Sequence, residues 1–136
     1  MTSIEIPYSI AAALPSLAVL DITNDVSRAV AAGDVEQGVA FISPRGERAL
    51  IRINEREAGI FEDFEALLAR IVPLEQGERE TMLTFLLGPR SEQIPVADRR
   101  LRLGEWQRVL LIDFDRDRDR DRDPSWQLAL VGERDS

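Results

Sequence analysis

Residues 98–115 have the sequence DRRLRLGEWQRVLLIDFD, and this stretch decides the fold. Within it, Trp106 to Phe114 is a mostly apolar run of strand length. Short apolar runs bounded by glycine, proline or charged turns are typical of strands. Three other runs in the second half of the chain have the same character: Thr81 to Leu87, Gln93 to Val96 and Ser125 to Val131. We therefore predict that the second half of the chain is mainly β-structure.

The first half of the chain adds further predicted strands. Ser3 to Ile10 alternates apolar and polar residues, which is the period of a half-buried strand, and Pro7 places that strand at a sheet edge. The other predicted strands are Leu17 to Ile22, Gly38 to Ile42 and Ala49 to Ile53. Residues 43–48 carry turn chemistry and separate the last two.

Two helices are predicted among these strands. Ala58 to Val72 carries apolar residues at three- and four-residue steps, which form one broad apolar face, and Pro73 prevents its continuation. A shorter helix is predicted from about Asp25 to Ala32, with Thr23 or Asn24 as its N-terminal cap. Both helices have the length and capping residues of ordinary surface helices.

The order of these elements is rich in strands and includes two helices, which predicts an α+β fold with mostly antiparallel pairing. The length of 136 residues suits one domain, and an apolar content of 44% is enough for one core. We find no repeat at domain scale and no interdomain linker. Residues 1–136 are therefore predicted to form a single domain.

The composition restricts the chemistry of the chain. It has no histidine, cysteine or lysine, and all 17 basic side chains are arginine. Histidine is the usual proton-transfer group near neutral pH and the commonest metal ligand. Cysteine supplies thiolates, and lysine supplies Schiff bases. We therefore predict no catalytic residues, no metal site and no cofactor, and we expect a protein that is not an enzyme.

The charge of the chain restricts its partners. With 25 carboxylates against 17 arginines, the net charge is −8. A nucleic-acid partner needs a basic field, so none is expected. Ile10 to Leu20 is apolar, but it lacks a basic flank, contains Pro15 and is too short to cross a bilayer. We expect no membrane association and a soluble, cytoplasmic protein.

A low-complexity run follows the last residues of the opening stretch. Residues 115–124 have the sequence DRDRDRDRDP, in which aspartate and arginine alternate strictly. Well-mixed charge without apolar residues does not offset the entropy cost of ordering. We predict a mobile hairpin loop at residues 115–124, and a charged ribbon that pairs with a partner strand is the alternative.

Three segments together resemble one known family. They are residues 49–55 (ALIRINE), residues 86–89 (LLGP) followed by 94–96 (IPV), and the opening stretch with its LGEWQ element. In this order, and with Asp21-Ile-Thr23, they resemble the YjbQ-like family, also called the secondary thiamine-phosphate synthase family. The resemblance runs from about Leu17 to Gly132. It implies an α+β fold built on an antiparallel β-sandwich, a homotrimer, and a weak thiamine-phosphate synthase activity beside an unsettled role.

The resemblance also implies a site built from histidines, which this chain does not have. One family histidine follows a proline and here falls on Arg45 or Gly46 after Pro44. Another falls on Thr81, and the loop with the remaining histidines is shortened to residues 74–80. The chain is thus predicted to be a divergent member that is non-catalytic or repurposed. A weak thiamine-phosphate synthase-like enzyme, or another enzyme that acts on a phosphorylated small molecule through arginine and carboxylates, is the alternative.

Arginines stand at or beside the lost histidine positions. Arginine suits carboxylate and phosphate, so a small anion is one candidate ligand. Salt bridges between subunits to Glu47, Glu78 or Glu80 are the other interpretation of the same arginines. The tentative ligand-binding residues, as an anion site or a remnant of the family site, are Arg45, Arg48, Asn54, Glu55, Arg79, Thr81 and Gln107.

Three of the remaining polar or aromatic features have a structural and a functional interpretation. Asn54 and Glu55 either orient a ligand or end the strand and cap backbone groups. Trp106 is expected to begin a strand and to pack in the core or at an interface. Glu55, Glu105 and Asp113 would act as acid–base groups or cation ligands only if they converge.

Overall fold

The computed structural model contains two four-stranded antiparallel sheets and describes residues 10–115 and 125–134. The strands are β1 Ile10–Ala13, β2 Ala18–Asp21, β3 Val35–Pro44, β4 Ala49–Asn54, β5 Glu92–Ala97, β6 Arg100–Leu101, β7 Arg108–Asp113 and β8 Trp126–Arg134. The helices are α1 Thr23–Ala32, α2 Ala58–Ile71 and α3 Arg79–Leu86. The first sheet has the strand order β1-β2-β7-β4, and the second sheet has the order β6-β5-β3-β8.

Strand β7 lies inside the first sheet, between β2 and β4, and nearly all of its side chains are buried. Val109 and Leu111 face the second sheet, in a core that also holds Ile42 and Ile94. Leu110 and Ile112 face the opposite way, toward α2 and α3, in a separate core with Phe61 and Leu83. A strand that is buried on both faces reads as a continuous apolar run, as residues 109–112 do.

The molecule therefore has three layers, with the first sheet between the second sheet and helices α2 and α3. Helix α1 contributes Val26 and Val30 to the core between the sheets. Helix α2 contributes Phe61 and Leu68, which cover the other face of the first sheet. A helix that buries one face needs apolar residues at three- and four-residue steps, which both sequences supply.

The second sheet is held by the long pairing of β3 with β8. Gly38 lies opposite Gly132 in this pairing. A Cβ atom at Gly132 would lie 2.1 Å from the Gln37 carbonyl oxygen, and Gly132 has a φ of +157°. Only glycine fits two backbones that approach this closely.

The α+β class and the antiparallel pairing are confirmed, but the predicted count of two helices is wrong. The predicted strand Thr81 to Leu87 is instead most of α3. Within this segment Leu83 is fully buried, whereas Met82, Phe85 and Leu86 are exposed. Threonine and phenylalanine favour strands when half buried, but this segment has only one buried position per helical turn.

Other boundaries differ from the predictions in smaller ways. The cap of α1 is Ile22, without a side-chain cap hydrogen bond, so the prediction of Thr23 or Asn24 is wrong. The apolar segment after Ile10 forms β1, which was not predicted. Of the predicted strand at residues 3–10, only Ile10 lies within the described residues, and residues 116–124 of the predicted Asp/Arg loop lie outside them. None of the helices in the described part of the chain is long and apolar enough to cross a membrane.

Candidate functional site

Strand β4 separates the predicted site residues into two groups. Arg45 and Arg48 lie in the turn before it, whereas Asn54 ends the strand and Glu55 follows. Since a strand rises about 3.4 Å per residue, the ends of this strand lie roughly 17 Å apart. These four residues are therefore not brought together into one site.

Of the two arginines before β4, Arg45 contacts the residue before β8, and Arg48 contacts the residues after β7. Arg45 is exposed, and its backbone N–H donates to the Ser125 carbonyl at 3.0 Å. The Arg48 Nη1 atom lies 3.5 Å from the Asp115 Oδ1 atom, with 43% and 36% of these side chains exposed. The Arg48 carbonyl also accepts the Phe114 N–H at 2.8 Å. This end of the sheet thus has a solvated ion pair within the chain.

Arg79 and Thr81 lie on α3, away from both ends of β4. Arg79 begins the helix and is only 1% exposed. Its Nε donates to the Val72 carbonyl at 2.8 Å, at the end of α2. A cation at a helix C-terminus is stabilised by the helix dipole. Thr81 is exposed, and its carbonyl accepts the Thr84 hydroxyl at 2.9 Å. A guanidinium buried on a backbone carbonyl supports a structural role for Arg79.

The polar residues at the far end of β4 make local backbone contacts. The Asn54 Oδ1 atom accepts the Glu55 N–H at 2.9 Å. The Gln107 Oε1 atom accepts the Gly104 N–H at 2.7 Å and closes the turn before β7. Side chains of this type commonly satisfy backbone groups where strands end.

Trp106 and the three separate carboxylates do not form a site in this chain. Strand β7 begins at Arg108, so the prediction that Trp106 begins a strand is wrong. Trp106 is 69% exposed, which also excludes packing in the core. Glu105 lies in the turn before β7, whereas Asp113 ends the strand and accepts the Asp115 N–H at 2.9 Å. The described ranges, 10–115 and 125–134, contain no group of three acidic, histidine or cysteine side chains able to hold a metal ion.

A buried carboxylate network lies at the same end of the sheet as Asn54 and was not predicted. The Asp21 side chain is 1% exposed, and its Oδ2 accepts the Arg108 Nε at 2.7 Å. Arg56 Nη1 lies 3.9 Å from the same oxygen. The Asp21 Oδ1 atom accepts the Thr23 N–H at 3.0 Å and the Thr23 hydroxyl at 2.6 Å. A buried charge is tolerated when it is paired and hydrogen-bonded in this way.

Thr23 extends this network into the sheet. Its hydroxyl accepts the Val109 N–H at 2.7 Å, in a buried position. The Ile22 N–H donates to the Val109 carbonyl at 2.9 Å. The side chain of Thr23 therefore continues the ladder between β2 and β7 beyond Asp21. The signal in the sequence is an acidic residue and a threonine two positions apart where an apolar strand ends.

A cavity of about 270 Å³ lies between the first sheet and α2. Its walls are mostly apolar, and Arg52 and Asn54 supply its polar groups. Arg52 also lines an open polar groove that includes Ser91, Glu92 and Gln93. The side chain of Arg52 thus separates an apolar cavity from a polar surface.

The sequence of this chain also matches one protein family. Residues 12–127 match the profile of the family described as UPF0047 protein YjbQ-like. The chain belongs to this family. A UPF0047 protein of Archaeoglobus fulgidus is 35% identical over 107 residues, which are 71% of this chain and 81% of that protein. A UPF0047 protein of Methanothermobacter thermautotrophicus is 26% identical over 104 residues, 71% of this chain and 73% of that protein.

Solved structures of the YjbQ-like family have the same fold. An uncharacterised conserved protein of the YjbQ/UPF0047 family from Clostridium acetobutylicum is 25% identical, with a TM-score of 0.72 over 88% of this chain and 95% of that one. A YbjQ-like protein of unknown function from Sulfolobus solfataricus is 21% identical, with a TM-score of 0.73 over 88% and 91% of the two chains. The two sheets and three helices are therefore the family fold.

Proposed function

We propose that this YjbQ-like chain is a binding and assembly protein that does not catalyse, in which the positions of the family site serve structural contacts. The proposal rests on the hydrogen bonds that side chains at these positions make. Asn54, Gln107 and Arg79 each bond to a backbone group of the same chain. Side chains that are committed to backbone groups are not free to move protons or hold a reacting group.

The proposal includes a homotrimer, which the family resemblance implies. Large exposed apolar side chains on α2, on the loop after it and on α3 support assembly of some kind. Phe85 is 86% exposed, and Ile71 and Leu86 are each 57% exposed. Exposed apolar surface of this kind marks interaction sites in soluble proteins. Light scattering at micromolar concentration tests the trimer, and a mass near the 15.3 kDa of a single chain would count against it.

The absence of catalysis is tested by measuring activity and binding together. We expect the purified protein to form no thiamine phosphate above background, and to show no heat when titrated with millimolar thiamine phosphate. We also expect zinc and chelators to leave the melting temperature unchanged, since no nitrogen or sulfur side chain of the usual zinc type is present. Turnover, or a rise in melting temperature with zinc, would refute the proposal.

A second candidate function is anion binding at the turn before β4. It is favoured by Arg45 and Arg48, which both face solvent within one short turn. A phosphorylated small molecule would compete with Asp115 for Arg48. Titration with inorganic phosphate decides between the two candidates. Heat that is lost in an Arg45→Gln variant favours the anion site, and no heat at millimolar phosphate removes it.

A further inference from the structure

Of the seven predicted site residues, only Asn54 lines the cavity beneath α2. We propose that this cavity binds a small amphipathic carboxylate, with its apolar body between α2 and the first sheet and its carboxylate on Arg52. The proposal adds a ligand class to a chain that we regard as non-catalytic, but it does not depend on that view. It rests on the shape and polarity of the cavity and on the charge of one arginine.

The cavity is lined mostly by apolar side chains and is large enough for a small organic molecule. Its volume of about 270 Å³ is nearly twice the ~150 Å³ of an apolar cavity that stays dry and binds benzene. A body of that size is one ring with a short chain, or an alkyl chain of about eight carbons. The apolar walls come from three elements and the end of α3: Leu50, Ile53, Ile60, Phe61, Phe64, Leu87, Leu110 and Ile112.

Arg52 is held rigidly at the rim of this cavity. Its Nη1 donates to the Ile51 carbonyl at 2.8 Å and to the Pro89 carbonyl at 2.7 Å. Its Nη2 donates to the Leu87 carbonyl at 2.5 Å. A guanidinium that is fixed by several carbonyls loses little entropy when it binds a ligand.

The charge of Arg52 is not balanced by a neighbouring carboxylate. Within the described residues, no acidic oxygen lies within 4.0 Å of its guanidinium, in contrast to Arg108 and Arg48. Carbonyl oxygens accept three of its five N–H groups, which leaves two donors without a protein partner among those residues. A half-buried cation with free donors attracts an anion.

A carboxylate suits this position better than a phosphate. One guanidinium offers one positive charge and two remaining donors, which match the two oxygens of a carboxylate. Glu92 lines the groove on the outer side of Arg52. Glu92 would repel a phosphate dianion more strongly than the single charge of a carboxylate, because like charges that share a site destabilise each other.

The first test uses octanoate as the probe and the full chain with labelled isoleucine and leucine methyl groups. We expect titration to shift the NMR signals of Ile53, Ile60 and Ile112 and to leave distant methyl groups, such as those of Leu74, in place. Octanol should bind at least about tenfold more weakly, because it lacks the charge that Arg52 pairs with. Shifts confined to the exposed residues of α3, or equal affinity for octanol, would overturn the proposal.

A second test uses paired variants. Arg52→Lys keeps the charge but not the planar fork, and we expect octanoate affinity to fall about tenfold or more. Arg90 is the matched control, because its Nε also donates to a backbone carbonyl, that of Ala49 at 3.0 Å, yet it does not line the cavity. Arg90→Lys should leave affinity unchanged within about twofold. An equal loss in both variants would refute the role of Arg52.

A second pair of variants keeps the proposal testable if Arg52→Lys does not fold. Phe64→Trp adds volume to a cavity wall and should abolish octanoate binding, whereas Phe41→Trp, in the second sheet, should not. Octanoate binding that survives Phe64→Trp would place the ligand elsewhere and overturn the proposal. Octyl phosphate that binds more tightly than octanoate would overturn the preference for a carboxylate.

Discussion

Each end of the β4–β7 pair has an ion pair between an aspartate and an arginine, but the two ion pairs differ in how far they are buried. At one end, Asp21 is 1% exposed and lies 2.7 Å from Arg108. At the other end, Asp115 is 36% exposed and lies 3.5 Å from Arg48. The first pair joins two strands and the start of α1 through Thr23, whereas the second spans the turn before β4 and the end of β7. The difference lies in burial, since the charges are the same.

This difference sets what each pair contributes to stability. A solvated ion pair contributes little, because water and salt screen it and its long side chains lose entropy. A buried carboxylate is costly once a partner is removed, because its charge stays in a medium of low dielectric constant. The same residue types therefore have a large effect at the Asp21 end and a small effect at the Asp115 end, which mutations test directly.

The largest effect is expected from Arg108→Met. The variant leaves the Asp21 carboxylate buried without its closest arginine, and among the described arginines Arg56, at 3.9 Å, is the one that remains near it. We expect the free energy of unfolding to fall by about 3 kcal/mol, as when one member of a buried pair is removed. Chemical denaturation monitored by circular dichroism measures this value.

The control for this variant removes both charges. The double variant Asp21→Asn with Arg108→Met leaves no uncompensated carboxylate, so it should be more stable than Arg108→Met alone. A loss below about 1 kcal/mol in Arg108→Met would mean that the pair behaves like a surface pair, and the contrast between the two ends would not hold.

A smaller effect is expected from Thr23→Val at the same end. Valine has nearly the shape of threonine but leaves the buried Val109 N–H without its acceptor and removes one donor to Asp21. We expect a loss of about 2 kcal/mol, within the range for an unsatisfied buried group. Thr84→Val is the matched control, because the Thr84 hydroxyl bonds only to carbonyls of α3. Equal losses in the two variants would show that the Thr23 hydroxyl does not extend the sheet.

The sequence predicts a strand or helix best where the element is buried on both faces, or where its apolar residues recur with a strict period. Strand β7 is recognisable because residues 109–112 are apolar without interruption, and α2 because its apolar residues recur with helical period. Helix α3 was not recognisable, because its apolar residues lie on its exposed as well as its buried face. Met82, Phe85 and Leu86 are apolar although they face away from the core, which hides the helical period.

The site was less predictable than the fold, because the roles of its polar residues depend on burial and on distant partners. Asp21 and Arg108 are 87 residues apart in sequence but in contact in space. Arg52 is an unremarkable charged residue inside a strand pattern, and its position at a cavity depends on the course of α2 and α3. The resemblance to a family identified segments such as Asp21-Ile-Thr23, but the role of each side chain could be assigned only from the contacts in the structure.

The smallest effect is expected from Arg48→Met at the solvated end of the sheet. The variant breaks the ion pair with Asp115, but both side chains are more than a third exposed, so water solvates the remaining carboxylate. We expect the free energy of unfolding to change by less than about 0.5 kcal/mol, and the small difference to shrink further in molar salt, which screens exposed charges. Denaturation at low and high salt measures both values. A loss comparable to that of Arg108→Met, unchanged by salt, would mean that the two ends of the β4–β7 pair are held in the same way. Burial would then not decide how much each ion pair contributes to stability.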